Sequence, residues 1–280
     1  MTKSSLLKND PILWAEIYDS CVTYSPTYFG LSSIKDVQII PAPVPKQIKS
    51  LSSIIEQFWD GMKKINQKLR NDAKYVLTGL SDIDVKNTTL IVKAYQTDYA
   101  TVLFKNSRTQ PYNQQLSVEQ QQFLDTQFFT VGVEGYVTTD NQQVLFGTRA
   151  DRGPRAGLHE TIPRGLVDYQ VDSKNLLIDS LARELQEETN LDFYKDMSTS
   201  QPIHIMLGSK FGDCTIVNHM VCKTASIPKA KANPAEHTNL FWLNAQTPKI
   251  YREIMDNRIQ YNPATIITLE EFYKASKIRV

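Results

Sequence analysis

Apolar residues recur every four positions over 176–189, where Leu177, Leu181 and Leu185 make one stripe. That spacing predicts an amphipathic helix with one buried face. The flanking patterns have shorter periods. Residues 128–136 read as a strand, Thr138-Thr139-Asp140-Asn141-Gln142 as turn chemistry, and residues 143–149 as the hairpin partner. A loop over 153–157 and a turn over 163–168 lead to the helix. Residues 203–208, 214–223 and 240–243 read as further strands. Upstream, Pro41-Ala42-Pro43-Val44-Pro45 is a stiff extended connector. A helix follows over 54–69, with Ile55, Phe58, Trp59, Met62, Ile65 and Leu69 on its apolar face and a Ser53/Glu56 capping box. Residues 74–78 and 88–95 are strand-like, and the Gln-rich stretch 114–125 reads as a surface helix or linker. Trp14, Trp59 and Trp242 are expected in the core, and His219, on a strand, is expected to be structural. The pattern divides the chain into an N-terminal α+β portion, 1–125, and a second α/β domain, 126–280.

Composition narrows the function classes. The net charge is +1, from 31 Lys and Arg against 30 Asp and Glu, so no electrostatic argument favours nucleic acid or a membrane surface. No apolar run approaches the roughly eighteen residues that span a bilayer, and residues 1–10 are too interrupted for a signal peptide. Cys21, Cys214 and Cys222 are odd in number and scattered, which suits a reducing, cytoplasmic compartment. Neither they nor the four histidines have metal-site spacing.

The helix over 176–189 carries a conflict at its end. Glu184 lies three residues before Glu187 and four before Glu188, so three carboxylates crowd one side. Like charges at that spacing repel, and anions in the last turn oppose the helix dipole, at about 0.3–1 kcal/mol each. A hard divalent cation such as Mg²⁺, shared with a diphosphate, uses such a cluster.

The segment Arg183-Glu184-Leu185-Gln186-Glu187-Glu188-Thr189-Asn190-Leu191 resembles the second half of the Nudix box. Asn190 stands where that family has Gly, at a position that wants a left-handed backbone. Pro163-Arg164-Gly165-Leu166-Val167-Asp168 resembles the family's Pro-Gly-Gly turn. Four extra residues then separate Asp168 from Arg183, and the middle Glu of the box has no clear counterpart, although Asp172 lies in that stretch. The resemblance implies a mixed sheet between helices, preceded here by an α+β accessory domain. It implies hydrolysis of a nucleoside diphosphate linked to another moiety, with Mg²⁺, or Mn²⁺ in its place. Glu184, Glu187, Glu188 and the Gly165 carbonyl would hold metal, Arg183 would orient the cluster through Glu187, and a glutamate of the trio or Glu236 would take the proton from water. Arg149, at the end of a hairpin strand, would bind phosphate, in competition with Arg152, Arg155 and Arg164.

A narrower resemblance is to UDP-sugar pyrophosphatases of the same superfamily, which carry a domain ahead of the hydrolase fold. Trp59, Lys74-Tyr75-Val76-Leu77, Leu90-Ile91-Val92, Thr97-Asp98-Tyr99-Ala100-Thr101, Asn106 and Asp179-Ser180-Leu181 carry it. It implies that Asp98, Tyr99 and Asn106 help bind sugar or base, with Tyr99 stacking on uracil. ADP-ribose or another linked nucleoside diphosphate is the alternative substrate. A non-catalytic Nudix-fold binding protein is the alternative of another class, motivated by the irregular first half of the box.

Overall fold

A computed structural model describes residues 7–31, 33–107, 110–150, 155–168, 175–210, 212–245 and 247–277. Arg152 and Asp172 lie outside the described residues. Among the described residues the strands are β1 (Cys21–Tyr24), β2 (Asp36–Pro41), β3 (Ala73–Leu77), β4 (Ile83–Lys86), β5 (Thr89–Asp98), β6 (Phe129–Thr139), β7 (Val144–Arg149), β8 (His159–Thr161), β9 (Arg164–Leu166), β10 (Met197–Gly208), β11 (Asp213–Cys222) and β12 (His237–Leu243). Helices cover the sheet, so the fold is mixed α/β.

β6 is buried along its whole length, the mark of a central strand covered on both faces. One edge pairs in parallel with β11. The other edge changes partner along its length, from β3 at Phe129 and Thr130, to β9 at Gly132–Glu134, to β7 at Thr138. β7 in turn carries β8 and β12. Gly135 lets the turn before β9 come close, because a Cβ there would collide with Pro163 and Met220.

The N-terminal residues enter the same sheet. β3 pairs with both β5 and β6, and β1 pairs with β10. The helix Pro11–Asp19 packs on Pro263–Lys277, with the Trp14 indole donating to the Tyr261 carbonyl at 2.8 Å. A distinct apolar cluster, including Leu51, Phe58, Trp59, Phe104, Phe123 and Phe128, lies almost wholly within residues 48–128. Trp14 and Trp59 are buried as expected, and Trp242 is half-buried. His219 bonds the Thr138 hydroxyl at 2.8 Å, a structural partner.

Three local expectations are corrected. The upstream helix runs Ser52–Ile65, and Leu51, not Ser53, precedes it without a side-chain cap. A helical turn, Lys46–Lys49, delivers the chain to Leu51 already in the right-handed helical region, so a Ser53/Glu56 box has no free end to cap. The capping box occurs instead at Ser117 and Gln120, ahead of the helix Val118–Thr126, which buries Phe123 and Leu124. Residues 97–106, the stretch whose Asp98, Tyr99 and Asn106 are expected to bind sugar or base, are mostly the helix Tyr99–Ser107. Asp98 caps it, accepting from the Thr101 amide at 2.8 Å and the Thr101 hydroxyl at 2.6 Å. No helix among the described residues is long and apolar enough to cross a membrane.

Candidate active site

The helix Leu176–Thr189 matches the periodicity reading. Asn175 caps its start by accepting from the Ile178 amide at 3.2 Å, and Asn190 ends it with φ 60° and ψ 14°. Asn tolerates that left-handed conformation next best after Gly. Leu177, Leu181 and Leu185 are buried against the main core. The glutamates therefore emerge at different depths. Glu188 is 2 % exposed, the Glu184 side chain 13 % and the Glu187 side chain 54 %.

Arg183 organises this end of the helix. Its guanidinium lies 2.8 Å from Glu184, 3.1 Å from Glu187 and 3.0 Å from Asp168, and it donates to the Leu166 carbonyl at 3.3 Å. The Glu187 pairing is the one expected from the spacing. The Asp168 pairing ties the helix to the turn after β9. On β9 itself, a Cβ built on Gly165 would sit on the Glu184 carboxylate. Glycine is required there for close approach, since the position does not need a left-handed backbone. The Arg164 amide donates to Glu188 Oε2 at 3.1 Å, so backbone from the same strand grips a second glutamate.

Burial, then the Glu187 and Asp168 charges, outweighs Arg183 and pushes the Glu184 carboxyl up to about 7. Burial, then Glu160 and Glu184, holds Glu188 well above the usual carboxylate range. Burial would also raise Glu160, but a hydrogen bond from His237 and the charges of Arg149, Arg164 and Arg155 reverse this and hold it far below that range.

Arg149 stands among acids. It lies 3.2 Å from Glu160, 3.0 Å from Glu236 and 3.9 Å from Glu188. Glu236 thus reaches the site through Arg149. Arg164 turns inward, 3.2 Å from the fully buried Glu134. Arg155 lies 3.5 Å from Asp213.

A cleft of about 880 Å³, counting its open mouth, joins both portions of the chain. Tyr99, Val102, Leu103 and Asn106 line one side, and Arg149, Arg155, Glu160, Arg164 and Gly165 line the other. Tyr99 is half-buried, edge-on to Trp59 with ring centroids 6.4 Å apart, and Asn106 is exposed. Asp98 is not among the lining residues, because its carboxylate is taken up by the helix cap and by Asn71 at 3.0 Å.

Among the described residues no group of three or more His, Cys, Asp or Glu side chains gathers as a metal-binding set. The donor chemistry nevertheless fits a hard divalent cation. Glu184 and Glu188 are oxygen donors whose ionisation burial and neighbouring carboxylates oppose, and a cation beside them would favour their charged form.

Several pairings carry no periodicity or motif signal. Glu160 accepts from His237 Nε2 at 3.2 Å and from Asn262 at 3.0 Å, besides Arg149. Glu134 accepts from the Thr268 hydroxyl at 3.1 Å. Lys74 pairs with Asp168. Their partners are distant in the chain, so a local pattern has nothing to mark them.

No protein-family model matches the chain, and no curated protein does. Solved structures resemble part of it. A Deinococcus radiodurans protein is 15 % identical, with a TM-score of 0.40 over 51 % of this chain and 82 % of its own. A Nudix-family hydrolase from Clostridium perfringens is 15 % identical, with a TM-score of 0.37 over 52 % and 96 %. The Nudix domain of Shewanella oneidensis NrtR, complexed with ADP ribose, is 14 % identical, with a TM-score of 0.32 over 52 % and 86 %.

Proposed function

We propose that this chain is a Nudix-type pyrophosphohydrolase, with residues 126–280 as the hydrolase and residues 1–125 as an accessory portion that selects substrate. Its substrate is a nucleoside diphosphate linked to a second moiety, with a UDP-sugar as first choice, cleaved to UMP and a sugar 1-phosphate. The observation that carries this reading is the seating of Gly165 on Glu184. β9 and the acidic end of the helix Leu176–Thr189 meet there, beside an arginine-lined cleft.

Mg²⁺ or Mn²⁺ held by Glu184, Glu187, Glu188 and the Gly165 carbonyl would neutralise diphosphate charge and lower the pKa of a bound water. The protein's own residues do the rest. Arg149 and Arg155 face the cleft and meet the phosphates with planar guanidinium groups. Arg183 holds Glu184 and Glu187 in place. Water oxygen attacks one phosphorus, the bond to the bridging oxygen breaks, and a carboxylate takes the water's proton. Glu236 and the helix glutamates supply the candidates for that base.

The base and sugar are read by the accessory side. If Tyr99 stacks on the base, Tyr99→Ala removes about 1–3 kcal/mol of binding, as for other base–aromatic contacts. The loss is expected in KM for UDP-glucose and not for inorganic pyrophosphate. Equal losses for both would make Tyr99 scaffold.

The deciding experiment is the release of nucleoside monophosphate, read by anion-exchange chromatography, from UDP-glucose, UDP-galactose, ADP-ribose and dinucleotides, with Mg²⁺ and with EDTA. Turnover of a UDP-sugar that EDTA abolishes is the expected result. Preference for ADP-ribose would keep the enzyme and change its substrate. No turnover, together with a melting temperature raised by nucleotide alone, would favour the non-catalytic binding protein.

A further inference from the structure

We propose that Lys74, on β3 of the N-terminal portion, is a positioning residue for the acidic end of the helix Leu176–Thr189. This inference rests on the hydrolase reading above. Lys74 is 8 % exposed, on a strand whose other residues are small or apolar. Burying an ammonium is costly unless a counter-charge meets it. Here the counter-charge is Asp168, whose carboxylate pairs with Lys74 while its backbone bridges the same residue.

Asp168 is shared. Its Oδ1 meets Lys74, and its Oδ2 lies 3.0 Å from Arg183 Nη2. Arg183 then reaches Glu184 and Glu187, the proposed metal ligands. Charges alternate along the whole series, from Lys74 to Asp168 to Arg183 to the glutamates. Lys74 also lies over the Tyr99 ring, 5.9 Å from its centroid, and that ring lines the cleft. It therefore stands between the wall that would read the base and the helix that would hold the metal.

The physical role follows from how Asp168 is satisfied. With Lys74 on one oxygen, Asp168 needs Arg183 only through the other, and the rest of the guanidinium serves Glu184, Glu187 and the Leu166 carbonyl. Without Lys74, Asp168 draws more of the guanidinium to itself and the glutamates lose their alignment. Groups bonded directly to metal ligands, as Arg183 is to Glu184 and Glu187, typically change affinity or activity about ten- to a hundredfold, and Lys74 acts two pairings further out, at the lower end of that range.

Simple electrostatics predicts the opposite sign. Removing a positive charge near an acidic cluster should tighten a divalent cation. The test is Mn²⁺ binding to the substrate-free full chain, read by electron paramagnetic resonance, for the wild type, Lys74→Met and Lys74→Arg. We expect Lys74→Met to bind Mn²⁺ about tenfold more weakly, with Lys74→Arg close to the wild type. Equal or tighter Mn²⁺ binding by a folded Lys74→Met overturns the proposal. Asp168→Asn is the second variant, for use should Lys74→Met not fold. It cuts the same series one step further on and is expected to show the same weakening, and wild-type Mn²⁺ affinity in it would equally overturn the proposal. A wild type that binds no Mn²⁺ at all would remove the hydrolase reading itself, an outcome distinct from a failure of Lys74 alone.

Discussion

Glu188→Gln is expected to lower turnover by at least about a hundredfold, beyond the ten- to hundredfold attached to outer partners of a metal site, while the protein stays folded. Glu188 is buried, its carboxyl is held well above the usual range, and its Oε2 receives the Arg164 amide. A neutral amide can still accept from that amide but cannot bind a cation as a carboxylate does. Stability without metal should hold or rise, because the substitution replaces a carboxyl whose ionisation burial disfavours by a neutral group of the same shape.

Glu184 gives the pH signature of the same cluster. Its folded-state carboxyl is raised from 4.5 to about 7. A group shifted this way contributes stability that is complete below about pH 4.5 and is lost as pH rises through 7. Metal-free protein should therefore lose up to about 3 kcal/mol between those limits, at 1.36 kcal/mol per pKa unit, and Glu184→Gln should flatten the profile. Thermal melts at stepped pH, with EDTA and with Mg²⁺, measure it. Near-wild-type turnover by Glu188→Gln at saturating Mg²⁺ would remove the glutamate trio from the chemistry.

Gly165→Ala is expected to be nearly as damaging, through a single methyl group. The new Cβ would occupy the place of the Glu184 carboxylate, so that flexible end of the side chain must swing out of its seat. Overpacking of this kind costs about 1–3 kcal/mol of stability. The larger effect should be on turnover, since the Glu184 carboxylate is displaced from its place beside Arg183, and a small misplacement of reacting groups can cost about a hundredfold. A second substitution separates the two effects. Gly165→Ala with Glu184→Ala should recover melting temperature, because the collision is gone, and recover no activity. Gly165→Ala that turns over like the wild type would mean that Glu184 has no fixed place in the reaction.

The local pattern of the chain specified the helix Leu176–Thr189, the Arg183–Glu187 pair one turn apart and the left-handed Asn190 after it. Each depends on residues within a turn of one another, where helical period and backbone preference act directly. No local pattern marked the helix Tyr99–Ser107. Asp98, read as a contact for sugar, is instead the acceptor that starts a helix, because that helix packs Phe104 into the cluster with Phe58 and Trp59. Long-range pairs lay beyond any local rule. Lys74 meets Asp168 across 94 positions, and Asn262 reaches Glu160 across 102. Neither partner stands out alone, since one buried charge looks like any surface charge until the fold puts its counter-charge beside it. The cleft has the same origin. Tyr99 and Arg149 face one space because β3 takes the first stretch of one edge of β6 and β9 the next, a sheet order that depends on packing across the whole molecule.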